Sequence, residues 1–189
     1  FIIEHSEATA ASVRGQERLE KIKGIAALKK IIVLDANAAK DGGGKAVFFN
    51  DFLSKPIFDL SPFAELAASL RPQDPASIVY TSGTTGNPKG AVLTHGNILF
   101  EGQALMKRVG LRAGDVSISY LPLAHIAERL QGEIMHILAG TTVYYAERLD
   151  TLQRDLKEVR PTLFLGVPRV WEKFQAGIQA QAAQAQGLK

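Results

Sequence analysis

Residues 80–90 read YTSGTTGNPKG: small and hydroxylic residues, a proline and one lysine, directly after the apolar run SIVY. Gly83, Gly86 and Gly90 let a backbone approach a bulky anion, and successive N–H groups in such turns converge into an anion-binding nest. Thr81, Ser82, Thr84 and Thr85 add hydroxyls that donate to phosphate or offer a lone pair to Mg²⁺. Lys89 supplies a compact charge suited to phosphate, and Pro88 stiffens the approach to it. A Walker-type loop needs four residues between its glycines and then Gly-Lys-Ser/Thr opening a helix. Here Gly83 and Gly86 enclose two residues, and Lys89 runs into the strand-like AVLTH. The pattern therefore predicts a phosphate loop between two strands. The alternative is a plain hairpin loop with a solvated lysine.

Two further segments carry candidate chemistry. In YLPLAHIAERL, His125 stands where a strand gives way to a helix, either turned toward a ligand anion or acting as a cap that only packs. Arg129, one helical turn on, is read as a structural ion-pair partner. In LFLGVPRVWEKF, Gly166, Val167 and Pro168 form either part of a pocket wall or a simple strand-to-helix turn. Trp171 and Phe174 are expected in the core, His95 at a helix cap, and His5 and His136 without a role.

The elements that must position these residues alternate. FIIEH reads as a strand, 6–22 as a helix capped by Ser6, and KIIVLD as a buried parallel strand. Residues 36–60 form an irregular connection without a firm element. Ser61 and Pro62 open a helix, SIVYT and AVLTH flank the loop as strands, and 96–109 is helical. DVSISYLP is a strand, 125–138 a helix stopped by Gly140, and TTVYYA a strand. Asp150 and Gln153 resemble a capping box, TLFLG is a last strand, and Pro168 opens a helix whose Ala/Gln-rich tail, 175–189, is expected to fray. Such alternation predicts an α/β fold with a mostly parallel sheet and helices on both faces. Ligands then gather at the carboxyl ends of strands, where the loop, LPLAH and LGVP are all predicted to lie.

The chain has 189 residues, 46% hydrophobic and 22% charged, with a net charge of +3 and no cysteine. The basic residues are scattered, without the basic stripe and interleaved aromatics of a nucleic-acid binder. Disulfide and thiolate metal chemistry are excluded. No signal-peptide layout is present, and no apolar run approaches the ~18 residues that span a bilayer. The expectation is a cytoplasmic protein, with peripheral membrane contact left open. A first residue Phe1 points to a piece of a longer chain.

The run YTSGTTGNPKGAVLTHGN resembles the phosphate-binding motif of the AMP-forming acyl-adenylate synthetases, which include acyl-CoA synthetases, luciferases and peptide-synthetase adenylation domains. YLPLAHIAERL and RPTLFLGVPRVWEKF resemble later motifs, with wording closest to long-chain fatty-acid–CoA ligases. The resemblance covers residues 77–174 and implies a partial adenylate-forming domain using ATP, Mg²⁺ and coenzyme A. It implies that Thr81, Ser82, Gly83, Thr84, Thr85, Gly86 and Lys89 hold the β- and γ-phosphates, with Thr84 nearest Mg²⁺ and Thr81 second. His125 would orient the carboxylate or donate to the α-phosphate, with Lys89 and His125 the catalytic pair. Gly166, Val167 and Pro168 would line the acyl pocket. The family's Thr-Glu motif, its ribose-binding Asp and its C-terminal adenylation Lys do not occur in these residues, so the chain is expected not to turn over alone. An adenylating enzyme for another carboxylate and a non-catalytic nucleotide-binding module remain as alternatives.

Overall fold

Leu19, Leu28, Ile31 and Val33 are fully buried and, with Ala38, form the core of a first unit, Phe1–Thr94. A second unit, His95–Lys189, has its own core around Ile118, Leu152 and Val170. This computed structural model describes residues 1–54, 59–82 and 86–186.

In the first unit, β1 (Ala10–Val13), β2 (Lys30–Val33) and β3 (Ala46–Phe48) form a parallel sheet in that order. Helices α2 (Gln16–Ile22) and α3 (Ala36–Lys40) connect the strands. Ile31 and Val33, two residues apart on one face of β2, pack with Leu19 of α2 and Ala38 of α3. The expected helix over 6–22 is instead β1 followed by α2, separated by Gly15 at φ 85°. The Gly15 N–H donates to Asp35 Oδ2 at 2.6 Å, so a carboxylate across the sheet fixes the break. FIIEH is not a strand: Ile2–His5 is a short helix, α1, and Ile3 packs on the core. The stretch 36–60 holds α3, a 3₁₀ turn (Gly43–Lys45), β3 and α4 (Phe49–Leu53). After it comes α5 (Ser61–Ser69), where the Ser61 N–H and hydroxyl both donate to Asp59, making that carboxylate rather than Ser61 the satisfier of the helix start.

The unit ends in an antiparallel hairpin, β4 (Pro75–Thr81) and β5 (Lys89–Thr94), the one non-parallel pairing among the described strands. The predicted strand–loop–strand arrangement is thus observed.

The second unit opens with α6 (His95–Val109) and β6 (Val116–Ser119), which pairs in parallel with β7 (Thr142–Tyr145). Between them lies a continuous helical run: α7 (Ile126–Arg129), a π-helical segment (Leu130–Ile134) and α8 (Met135–Ala139), ended by Gly140 in the left-handed region. Then come α9 (Leu152–Val159) and α10 (Pro168–Gln186). Strand β6 is covered on both faces. Ile118 joins the apolar core with Leu152 of α9 and Val170 of α10. Ser119 lies instead against Gly132 of the π-helical segment. TLFLG does not form a strand. It meets β6 through a single parallel bridge, Ser117 to Leu163, and through N–H bonds from Thr162 and Leu163 to the Val116 carbonyl.

Asp150 is not a cap. It pairs with Arg148, and the residue before α9 is Thr151. The Thr151 hydroxyl lies 2.7 Å from Asp155 Oδ2 and holds that carboxyl below the ordinary range. Desolvation opposes this, while the Arg154 guanidinium and the Glu147 N–H add to it. A carboxyl with a lowered folded pKa contributes stability that is full above its unfolded pKa of about 4 and lost as pH falls through the folded value. Thr151→Val is therefore expected to be less stable than the parent at pH 7. The gap should narrow as pH drops toward 3, as read by urea unfolding at the two pH values.

Candidate phosphate loop and acyl pocket

The hairpin sets the loop through register. Tyr80 pairs with Gly90, and Thr81 with Lys89, so residues 82–88 span the end of a closed ladder. Directly opposed residues on antiparallel strands point to the same face. The Thr81 hydroxyl and the Lys89 ammonium therefore share one mouth, both exposed to solvent. Gly90 is required here, because a Cβ would meet Ile78 Cγ2 at 2.9 Å and the Tyr80 ring at 3.2 Å. Gly86 adopts φ 102°, which a side chain rarely tolerates. Ser82 is exposed, while Gly83, Thr84 and Thr85 lie outside the described residues.

His5, to which the sequence assigned nothing, anchors the loop end of this hairpin. Its Nδ1 lies 2.7 Å from the Tyr80 hydroxyl, and the two rings meet edge-on at 5.8 Å. Seventy-five residues separate the pair, and no local pattern announces such a contact. A tyrosine one residue before the end of a strand that leads into a glycine loop was the only hint.

In the second unit, β6 ends at Ser119, earlier than the expected strand. The chain then turns through 120–124 to His125, whose N–H donates to the Pro122 carbonyl at 2.9 Å. His125 stands at the start of α7, but its imidazole makes no capping hydrogen bond. Instead it lines a cavity of about 510 Å³ with Leu121, Ala127, Val167, Pro168, Arg169 and Glu172. Two of the three predicted strand-end segments, LPLAH and LGVP, therefore meet at one cavity. An adjoining cavity of about 260 Å³ shares Leu121, Val167 and Arg169. Its other lining includes Leu149, Leu152, Val170 and Phe174, with Lys173 also present. It is largely apolar and carries two cationic side chains, Arg169 and Lys173, together with one carboxylate, Asp150.

Gly166 sits beneath the Trp171 indole, whose Nε1 donates to the Gly166 carbonyl at 2.8 Å. Trp171 is half exposed rather than in the core, stacking edge-on with Phe164 and Phe174, while Phe174 does pack on the core. Arg129 Nε donates to the Leu123 carbonyl at 3.2 Å, bracing the turn that delivers His125. His136 lies 3.4 Å from the Thr141 hydroxyl, so it also has a partner.

For Mg²⁺, the described part of the loop offers hydroxyl oxygen and a cation. Among the described residues no three acidic or imidazole groups converge in a metal-holding cluster. That donor set fits an ion carried in by phosphate oxygens and touched by a hydroxyl, the usual way Mg²⁺ is held beside a nucleotide.

The whole chain, residues 1–189, matches the family described as AMP-binding enzyme. A long-chain-fatty-acid–CoA ligase, ACSBG2, of Xenopus laevis is 34% identical over all of this chain and 27% of its own length. The peroxisomal acyl-CoA ligase 891 of Penicillium roqueforti is 36% identical over all of this chain and 29% of its own. The chain thus spans under a third of these relatives. Among solved structures, the adenylation domain of a carboxylate reductase from Mycobacterium chelonae matches with a TM-score of 0.67 at 23% identity, over 97% of this chain and 31% of that one. O-succinylbenzoate CoA synthetase from Bacillus subtilis matches with a TM-score of 0.63 at 17% identity, over 93% and 54%. Both show the same α/β fold.

Gly166→Ala places a methyl group inside the indole edge of Trp171. The ring must shift and its hydrogen bond must break, at a cost of about 1–3 kcal/mol for overpacking. The expected outcome is a lower unfolding midpoint together with red-shifted tryptophan emission, read from the chain's one tryptophan.

Proposed function

The chain belongs to the AMP-binding enzyme family, and from that premise we propose that it supplies the phosphate-binding and acyl-binding parts of a long-chain fatty-acid–CoA ligase. In the first step a fatty carboxylate oxygen attacks the α-phosphorus of ATP. The bond to pyrophosphate breaks, leaving acyl-AMP. In the second, the coenzyme A thiol loses its proton and attacks the acyl carbon, and AMP departs. Both steps bring negative groups together, so catalysis rests on neutralising charge and fixing geometry.

The observation that carries this reading is the Thr81–Lys89 closing pair, which sets a hydroxyl and an ammonium at one mouth of a glycine-hydroxyl loop. Thr81, Ser82, Gly83, Thr84, Thr85 and Gly86 would wrap the β- and γ-phosphates, and Lys89 would hold their charge. Mg²⁺ would arrive with the nucleotide, contacting the Thr84 hydroxyl, and would supply further neutralisation. His125 would orient the carboxylate or donate to the α-phosphate. The fatty chain would lie along Gly166, Val167 and Pro168 and enter the adjoining apolar cavity, whose Arg169 and Lys173 suit a carboxylate at its mouth. Among the described residues no helix is long and apolar enough to cross a membrane.

Calorimetric titration with MgATP tests the loop. A hydrogen bond to a charged group contributes about 1.5–3 kcal/mol, so Lys89→Ala should weaken binding by about 10- to 100-fold. Equal affinity in parent and variant would remove the loop from the site. The chain spans 27% of the Xenopus relative, so we expect these 189 residues alone to show no fatty-acid-dependent ATP–pyrophosphate exchange. Robust exchange would mean that they suffice.

A further inference from the structure

Glu128 is 1% exposed, inside the helical run that faces β6. Its Oε2 accepts hydrogen bonds from the N–H groups of Leu121, at 3.0 Å, and Tyr120, at 3.4 Å. Its Oε1 has no partner among the described residues and lies against Gly132, where a Cβ would sit 2.7 Å away. Burying a carboxylate is costly unless it is hydrogen-bonded, and an apolar residue would fill this space without that cost. The carboxylate does one thing an apolar residue cannot. Strand β6 stops at Ser119, and the next two N–H groups have left the ladder. Glu128 takes the place of a neighbouring strand for them and fixes the start of the turn that ends at His125.

The same residue, Tyr120, ties down the opposite wall of the cavity. Its hydroxyl donates to the Leu165 carbonyl at 2.9 Å and accepts from the Val167 N–H at 3.1 Å, across a sequence separation of 45 to 47 residues. Trp171 satisfies the Gly166 carbonyl between them. All three polar groups are backbone atoms of a segment that joins no regular sheet. Beyond the single Ser117–Leu163 bridge, the side chains of Tyr120 and Trp171 tie it to the strand and helix on either side.

We propose that Glu128 and Tyr120 are positioning residues. A hydrogen-bonded chain runs from the buried carboxylate through the 120–121 backbone and the Tyr120 hydroxyl to the 165–167 turn. It sets the separation between His125 and Leu121 on one wall and Val167 and Pro168 on the other. The ligand part of this claim rests on the acyl assignment made above; the positioning part does not. Neither residue need touch the substrate, and both act through the walls they hold.

The test uses the 189-residue chain with Tyr120→Phe, Glu128→Gln and Glu128→Leu. It reads amide hydrogen exchange at Tyr120, Leu121 and Val167, tryptophan emission, and calorimetric binding of laurate. Tyr120→Phe removes one hydroxyl and little volume. It should keep the far-ultraviolet dichroism and the protection of β2, while Val167 exchanges about tenfold faster or more and Trp171 emission shifts to the red. Because the wall is then no longer preset, laurate binding should weaken by up to about tenfold, the worth of one hydrogen bond of ordinary strength. Glu128→Gln retains a carbonyl acceptor and should stay within about threefold of the parent, whereas Glu128→Leu should release the Tyr120 and Leu121 amides. Leu156→Ala, which removes apolar contact from the same core and no hydrogen bond, should lower protection generally without singling out Val167. Unchanged Val167 exchange and unchanged emission in a folded Tyr120→Phe chain overturn the proposal. If Glu128→Leu does not fold, Tyr120→Phe alone decides it. Should the exchange and emission changes appear while the parent shows no saturable laurate binding, the positioning role is supported and the acyl assignment falls.

Discussion

A backbone N–H that leaves a strand ladder and stays buried must find another acceptor, and the site-bearing segments of this chain depend on how that demand is met. At the end of β6 the acceptor is the Glu128 carboxylate. At 165–167 the partners are a tyrosine hydroxyl and an indole. In the first unit Asp35 takes the Gly15 N–H. In each case a side chain from outside the strand does what a neighbouring strand does within a sheet. Strands here are short, with three to seven residues, so much of the chain runs beyond ladder reach and is shaped by these side chains.

This explains how the candidate segments are placed on small sheets. The glycine- and hydroxyl-rich stretch between β4 and β5 follows a ladder whose last pairs are Tyr80–Gly90 and Thr81–Lys89. Tyr80 is held from outside the hairpin by His5. The His125 turn is held by Glu128 from within and by Arg129 through the Leu123 carbonyl. Arg129 thus serves the backbone of the turn.

What could be read from the sequence follows from the range of the forces involved. The α/β class, the parallel run KIIV, the strands flanking the loop, the helix expected over 96–109 and the Gly140 stop depend on local periodicity and turn chemistry, and all appear in the structure. FIIEH and 6–22 were misread because β-branched residues favour strands and alanine favours helix, while packing against the Leu19 core and pairing of Ala10–Val13 with β2 decided otherwise. TLFLG carries strand propensity, yet Pro161, Gly166 and Pro168 bracket it and only one bridge forms. Candidate residues at strand ends were visible as types at spacings, and the meeting of LPLAH with LGVP at one cavity was anticipated. Their supports were not: Glu128, Tyr120 and His5 act across 7 to 75 residues through a few contacts each, which leave no periodic trace.

The π-helical segment at Leu130–Ile134 has a further consequence. One additional residue in a turn rotates everything after it by about 100° relative to an uninterrupted α-helix. Before the insertion the run presents Glu128 to the polar edge of β6. From its last residue onward, Ile134 and then Leu138 lie against Gly102 of α6, where even a methyl group would be too close. Deleting a single residue from 130–134 would put the two halves out of phase, so that either the carboxylate or the aliphatic pair faced the wrong neighbour. Length variation among homologues should therefore be absent from this helix and gather in the connections on either side.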